Sequence, residues 1–218
     1  MEQIGYIQKE RLNLRKGINS IEEILASNLY FGDREVVENF EDSIQPVCSA
    51  MIITPNRKVL TINKTTKSTG NTSPEKDKTL LYVGGHLSVE DHNKYSNLET
   101  FFKGMLREVK EELNIDLKKN AVCLGVIGTY TPDTEKSQKH IGIIFTVLVD
   151  KEFETSFTDG KCKFVDYEDL KNIDNLESWS TLLYKHILPP TFSFMREKEL
   201  AKIDLAKKFR EKNNNKEI

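Results

Sequence analysis

Glu108, Glu111 and Glu112 stand at positions i, i+3 and i+4, a spacing that sends all three carboxylates out from one side of an α-helix. Like charges so placed repel by about 0.2–0.5 kcal/mol per pair, and a divalent cation between them offsets that repulsion. Carboxylate oxygens are hard donors suited to Mg²⁺ or Mn²⁺, and Mg²⁺ is commonly held by one or two carboxylates together with substrate phosphates. An ion there would neutralise phosphate charge and lower the pKa of a bound water. Taken alone, the three acids read first as a solvated face. Their surroundings point to chemistry instead: Glu99, seven intervening residues, Arg107-Glu108, the aliphatic Val109, Glu111-Glu112, then Ile115.

The elements that must position these residues follow from periodicity. Apolar residues at 98, 102, 105, 109 and 113 form a helical stripe and predict a helix over Leu98–Leu113. At roughly 100° per residue, the acids point about a quarter to a third of a turn from that stripe. The helix can bury one flank while the acids line an adjacent cleft. A β-rich run, Thr79 to Val83, leads into Gly84-Gly85-His86 just upstream. Val47–Thr54 and Val59–Asn63 flank Pro55–Lys58 as a hairpin, and polar residues 64–78 read as an exposed loop. Strands are expected at about 121–130, 140–149 and 162–166, with helical patterns at 167–172 and 176–188. Ser20 and Glu23 spell a capping box for a helix over about 20–30. Pro189-Pro190 predicts a break, beyond which Phe194–Lys212 has helical composition and ends in a polar tail. This order of strands, helix, strands and helix is a mixed α/β (α+β) arrangement rather than strict βαβ alternation.

The chain's bulk properties bound its partners. Its 218 residues suffice for a full core, and 30 % are charged with a net charge of −2, so no global field favours nucleic acid or an anionic membrane. No apolar stretch reaches the ~20 residues of a membrane helix, and the N-terminus lacks the apolar centre of a signal peptide. Cys48, Cys123 and Cys162 are scattered without metal-ligand spacing, which reads as three reduced, mostly packed thiols in a cytoplasmic protein.

The stretch from Glu99 to Glu112 resembles the Nudix box, Gly-x5-Glu-x7-Arg-Glu-U-x-Glu-Glu-x-Gly-U with U aliphatic, at every specified position in that span. Two positions depart from it. Asn93 stands where the leading glycine belongs, which makes the loop between Gly84-Gly85 and the helix about eight residues longer than the pattern. Asn114 replaces the trailing glycine, and asparagine is the next best residue for a left-handed C-cap. Phe31-Gly-Asp-Arg34 with Glu38, Gln45-Pro46, Gly84-Gly85-His86 with Glu90-Asp91, His140-Ile-Gly-Ile-Ile and Leu176-Glu-Ser-Trp-Ser180 extend the resemblance. Together they cover about residues 20–188 and are similar to bacterial Nudix proteins described as predicted phosphoesterases.

The resemblance implies a Nudix fold, a mixed β-sheet sandwiched between helices, with helical extensions at both ends. It places a hydrolase domain at 46–188, an N-terminal extension at 1–45 packing on it, and a tail at 189–218. The implied activity is hydrolysis of a nucleoside diphosphate derivative by water attack on phosphorus, assisted by Mg²⁺ or Mn²⁺. By position, Glu108 and Glu112 would be metal ligands, with Glu111 a further ligand or a base orienting water. A carbonyl of Gly84 or Gly85 would complete the metal set, and His86 would touch substrate or cap its loop. Arg107 would face away from the acids and brace the loop through an ion pair with Glu99. Asp133 and Glu135 lie where a further acid would be drawn, and His140 and Trp179 read as packing residues. The C-terminal helix reads as a core or dimer contact. Two other readings stay open: a nucleotide-sensing module, and an isoprenoid diphosphate isomerase, which would need a cysteine and metal-binding histidines near the site.

Overall fold

The computed structural model describes residues 2–64, 75–117, 121–155 and 160–198. Most of the expected 64–78 loop and the part of the C-terminal helix beyond 198 lie outside the described residues. The chain divides into two compact units, Met1–Leu182 and Leu183–Ile218.

The larger unit begins with β1 (Gln3–Gln8), β2 (Gly17–Asn19), α1 (Ile21–Ala26), β3 (Tyr30–Asp33) and α2 (Arg34–Asn39). The N-terminal extension thus contributes strands as well as helices: β1 pairs with β3, and β2 becomes an edge of the main sheet. Ser20 does cap α1 by position, but its hydroxyl binds the Glu22 carboxylate instead of closing a box with Glu23.

The strands β4 (Ser43–Ile53), β5 (Lys58–Lys64), β6 (Thr79–Leu80) and β7 (Val83–His86) come next. They are followed by α3 (Asn97–Leu113), β8 (Ala121–Tyr130), β9 (His140–Val149), β10 (Gly160–Asp166) and α4 (Ser178–Leu182). The main sheet runs in the order β10-β5-β4-β9-β8-β2. It is mixed, because β4 and β9 are parallel and the other pairs antiparallel. β4 is buried along nearly its whole length, as a central strand covered on both faces must be. One edge of β4 pairs with β9, and the other is shared in turn by β1, β7 and β5.

The two faces separate by strand parity. Phe145 on β9 meets Phe102 of α3, with ring centroids 5.6 Å apart. The even-numbered Gly142 points the other way, and a side chain there would strike the Trp179 ring of α4. α3 and α4 therefore cover opposite faces, giving the expected sandwich. The buried stripe of α3 is Phe101, Met105, Val109 and Leu113, with Thr100 and Gly104. The expected Leu98 and Phe102 are instead partly exposed, so the first two turns are rotated relative to the sequence pattern. Asn114 ends the helix at φ 55, ψ 35, and its N–H reaches Lys110 O at 2.9 Å, the left-handed cap expected of it.

In the smaller unit a π-helical turn spans Leu183–Ile187, and the chain is again helical over 188–198. Pro189-Pro190 therefore breaks nothing. The widened turn just before them accommodates the missing N–H groups, and the Thr191 hydroxyl donates to Ile187 O at 2.7 Å.

Candidate active site

β7 lies antiparallel to β4 with Gly84 opposite Ser49 and Gly85 opposite Cys48. The Glu108 carboxylate packs directly on the Gly85 backbone, since a Cβ there would sit 2.5 Å from Glu108 Oε2. Only glycine admits the helix carboxylate so close to the strand. A second close approach lies one helical turn earlier. A Cβ on Gly104 would meet Leu87 Cδ2 at 2.6 Å, so a mid-helix glycine, at about 1 kcal/mol of propensity, lets α3 settle on the turn Leu87–Asp91.

That turn holds the partner of Arg107, and the partner is Asp91, not Glu99. Arg107 Nε donates to Asp91 Oδ1 and Oδ2 at 3.1 and 3.2 Å, and Nη2 donates to Oδ2 at 2.9 Å. Asp91 is only 4 % exposed and also accepts from Ser88 N at 2.9 Å. Arg107 Nη2 further donates to His86 O at 2.8 Å, so one guanidinium ties the helix to both β7 and the loop. Glu99 instead accepts from Asn93 at the far end of α3, where its N–H caps onto Ser96 Oγ at 3.2 Å. Asp91 stands six residues after Gly85, the glycine-to-acid spacing of the Nudix box. The additional residues therefore fall between Asp91 and Arg107, not between the glycine and the acid. That spacing was the signal that could have found Asp91.

Arg107 does not turn away from the acids either. Its Nη1 donates to Glu108 Oε1 at 2.8 Å and to Glu111 Oε2 at 3.0 Å. Burial opposes the charge of Arg107, but Asp91 and Glu108 outweigh it and hold the guanidinium above its ordinary value. Burial lifts the Glu108 carboxyl, with Glu111 and Asp91 adding to the rise and Arg107 opposing it. Glu108 and Glu111 line a polar cleft with Arg34, Glu2 and Glu90. Glu112 lines a neighbouring cavity of about 240 Å³, and Gly85 and His86 border both. Among the described residues no three acid, imidazole or thiol side chains converge on one point as they stand. The donors nonetheless suit a hard cation: carboxylates at i and i+4 beside the half-buried backbone of Gly84-Gly85, with Glu111 on the rim.

The cavity face joins residues far apart in the chain. His140 Nδ1 donates to Lys136 O at 2.6 Å, which leaves its Nε2 to accept from His86 Nε2 at 3.1 Å. His86 Nε2 also reaches the buried Gln45 Oε1 at 3.0 Å. Burial keeps both rings neutral, with His86 lowered to about 3 and His140 lowered as well. Both histidines and Trp179 also line the cavity. Asp133 lines it too and pairs with Lys16, whereas Glu135 is exposed outside it. Glu177 was not picked out from the sequence. It is 4 % exposed, accepts from Trp179 N at 2.8 Å and Ser180 N at 3.1 Å, and is lifted by burial to about 6.

No family model and no curated protein sequence matches the chain. Solved structures do. Tm1382, a Nudix hydrolase by designation, superposes with a TM-score of 0.66 at 22 % identity, over 86 % of this chain and 99 % of that one. DR0079 from Deinococcus radiodurans gives 0.51 at 12 % identity, over 85 % and 99 %. A bifunctional NMN adenylyltransferase/ADP ribose pyrophosphatase from Francisella tularensis gives 0.51 at 18 %, over 72 % of this chain and 44 % of that one. The fold of this chain is the Nudix fold. No helix among the described residues is long and apolar enough to cross a membrane.

Proposed function

We propose that the chain is a divalent-metal-dependent hydrolase that cleaves a pyrophosphate bond in a nucleoside diphosphate derivative by attack of water on phosphorus. The observation that carries this reading is the Glu108 carboxylate seated on Gly85 and braced by an arginine that is itself locked to a buried aspartate. A solvated acidic face needs no such bracing. Glu108, Glu111 and Glu112 would hold Mg²⁺ or Mn²⁺, with a carbonyl of Gly84 or Gly85 as the remaining protein ligand. The ion would supply charge neutralisation and a water of lowered pKa. Arg107 fixes the helix against β7 and pairs with Glu108 and Glu111. Glu111, on the exposed rim of the cleft, orients the attacking water, while Gly84, Gly85 and His86 form the backbone edge along which the diphosphate lies. All of these residues fall within Met1–Leu182, and small nucleotide substrates together with cysteines held outside disulfides fit a cytoplasmic enzyme.

The test is release of product from dinucleoside polyphosphates, nucleotide sugars, NAD and nucleoside triphosphates, with Mg²⁺ or Mn²⁺ and with chelator. Glu111→Gln and Glu112→Gln each abolish the activity on this reading, and activity surviving both sinks the assignment. A nucleotide-sensing module is the second reading, favoured by the Arg107 contacts to both Glu108 and Glu111, and binding of nucleotides without turnover would support it. The isomerase reading needs a reactive thiol beside the site, and Cys48, opposite Gly85, is fully buried, with its thiol pushed well up by that burial.

A further inference from the structure

The cavity beside Glu112 has a chemistry of its own, distinct from that of the acidic helix. Its volume of about 240 Å³ gives room for a planar ring system. Val47, Tyr82 and Trp179 supply apolar and aromatic wall, and the Tyr82 and Trp179 ring centroids lie 5.7 Å apart. The far end is polar and rich in acceptors. Glu177 and Glu75 meet there around the Tyr82 hydroxyl, which donates to Glu75 Oε1 at 3.1 Å. Lys64, also at that end, pairs with Glu75 at 2.9 Å. A ligand edge reaching this end therefore faces carboxylate oxygens.

Resting on the hydrolase reading above, we propose that this cavity seats the nucleobase of the substrate and selects a base with adjacent N–H donors on its pairing edge, guanine over adenine. An ionised carboxylate accepts two parallel N–H bonds side by side. Guanine offers two neighbouring donors, its ring N1–H and its exocyclic amine. Adenine sets a ring nitrogen acceptor beside its amine, so one carboxylate oxygen would face a lone pair, and a buried mismatch of that kind is costly. The placement also suits the diphosphate chemistry. Gly85 and His86 border both this cavity and the cleft of Glu108 and Glu111, so a base seated here leaves the phosphates to cross the Gly85 backbone. Glu177 is then a specificity residue, held rigid by the two backbone N–H groups that cap α4.

Trp179 is the chain's single tryptophan, so its fluorescence reports occupancy directly. Guanosine, adenosine and ribose 5-phosphate are titrated in chelator at pH 8, where no hydrolysis intervenes. The expected result is saturable quenching by guanosine, at least tenfold tighter than by adenosine, and none by ribose 5-phosphate. Glu177→Gln should erase the preference by weakening guanosine at least tenfold. If its circular dichroism shows that this variant is unfolded, Glu75→Gln is read in its place with the same expectation. Equal quenching by both nucleosides, no quenching by either, or a preference that survives the substitution overturns the proposal. Guanosine-selective quenching in a protein that hydrolyses no diphosphate would keep the base seat and sink the hydrolase reading. Metal-dependent hydrolysis of phosphoribosyl pyrophosphate with no nucleoside quenching would do the reverse.

Discussion

Replacing Asp91 by asparagine separates the brace seen in the structure from the one expected from sequence. Asp91 is 4 % exposed and receives three contacts from Arg107 at 2.9–3.2 Å together with Ser88 N–H. Removing one partner of such a buried pair costs about 3–5 kcal/mol. Asparagine keeps the shape and one acceptor, and Arg107 retains Glu108 and Glu111, so about 3 kcal/mol is the expected loss. At about 2–4 °C per kcal/mol for a chain of this size, the melting temperature falls by roughly 6–12 °C. Glu99→Gln alters only the exposed contact with Asn93 and should cost no more than about 0.5 kcal/mol. Urea unfolding followed by Trp179 fluorescence measures both. An Asp91→Asn variant within about 0.5 kcal/mol of the parent, beside a Glu99→Gln variant that loses several, would refute the assignment of the brace.

Gly85→Ala places a methyl group 2.5 Å from Glu108 Oε2 and must displace that carboxylate. Metal-dependent turnover should fall at least tenfold while circular dichroism stays that of a folded protein, and full activity would show that the contact is dispensable. Glu177 adds a pH-dependent contribution to stability. Its carboxyl is raised from 4.5 to about 6 in the folded state, so its favourable contribution is complete below about 4.5 and disappears as the pH rises through 6. At 1.36 kcal/mol per unit that is about 2 kcal/mol. Glu177→Gln should flatten this part of the stability profile between pH 4 and 7, and an unchanged slope would contradict the assignment.

Helix α3 was legible because its signals are local: an apolar stripe, a C-cap asparagine and acids at i, i+3 and i+4 all act within a few turns. β4, β5, β8, β9 and β10 were legible for the same reason, each being a β-rich run bounded by turn residues. Asp91 was obscured by the eight inserted residues, which moved a matching glutamate to position 99 where the pattern could count it. The rotation of the first turns of α3 depends on Leu87 filling the space over Gly104, a contact between elements that periodicity cannot register. Pro189-Pro190 misled because a preceding π-helical turn removed the hydrogen bonds that the prolines would have broken. Glu177 stood in the sequence only as one residue of the Leu176–Ser180 run, because its burial is set by contacts between separate segments that the run does not reveal.

The central claim is that the acids of α3 hold a divalent ion at Gly85. Titration of Mn²⁺ into the protein, followed by the electron paramagnetic resonance signal of the free ion, tests it without reference to substrate. The expected result is suppression of the free-ion signal by the parent chain and by Glu99→Gln, and its full recovery when Glu108 and Glu112 are both replaced by glutamine. Equal suppression by the doubly substituted protein, or none by the parent, would contradict the claim.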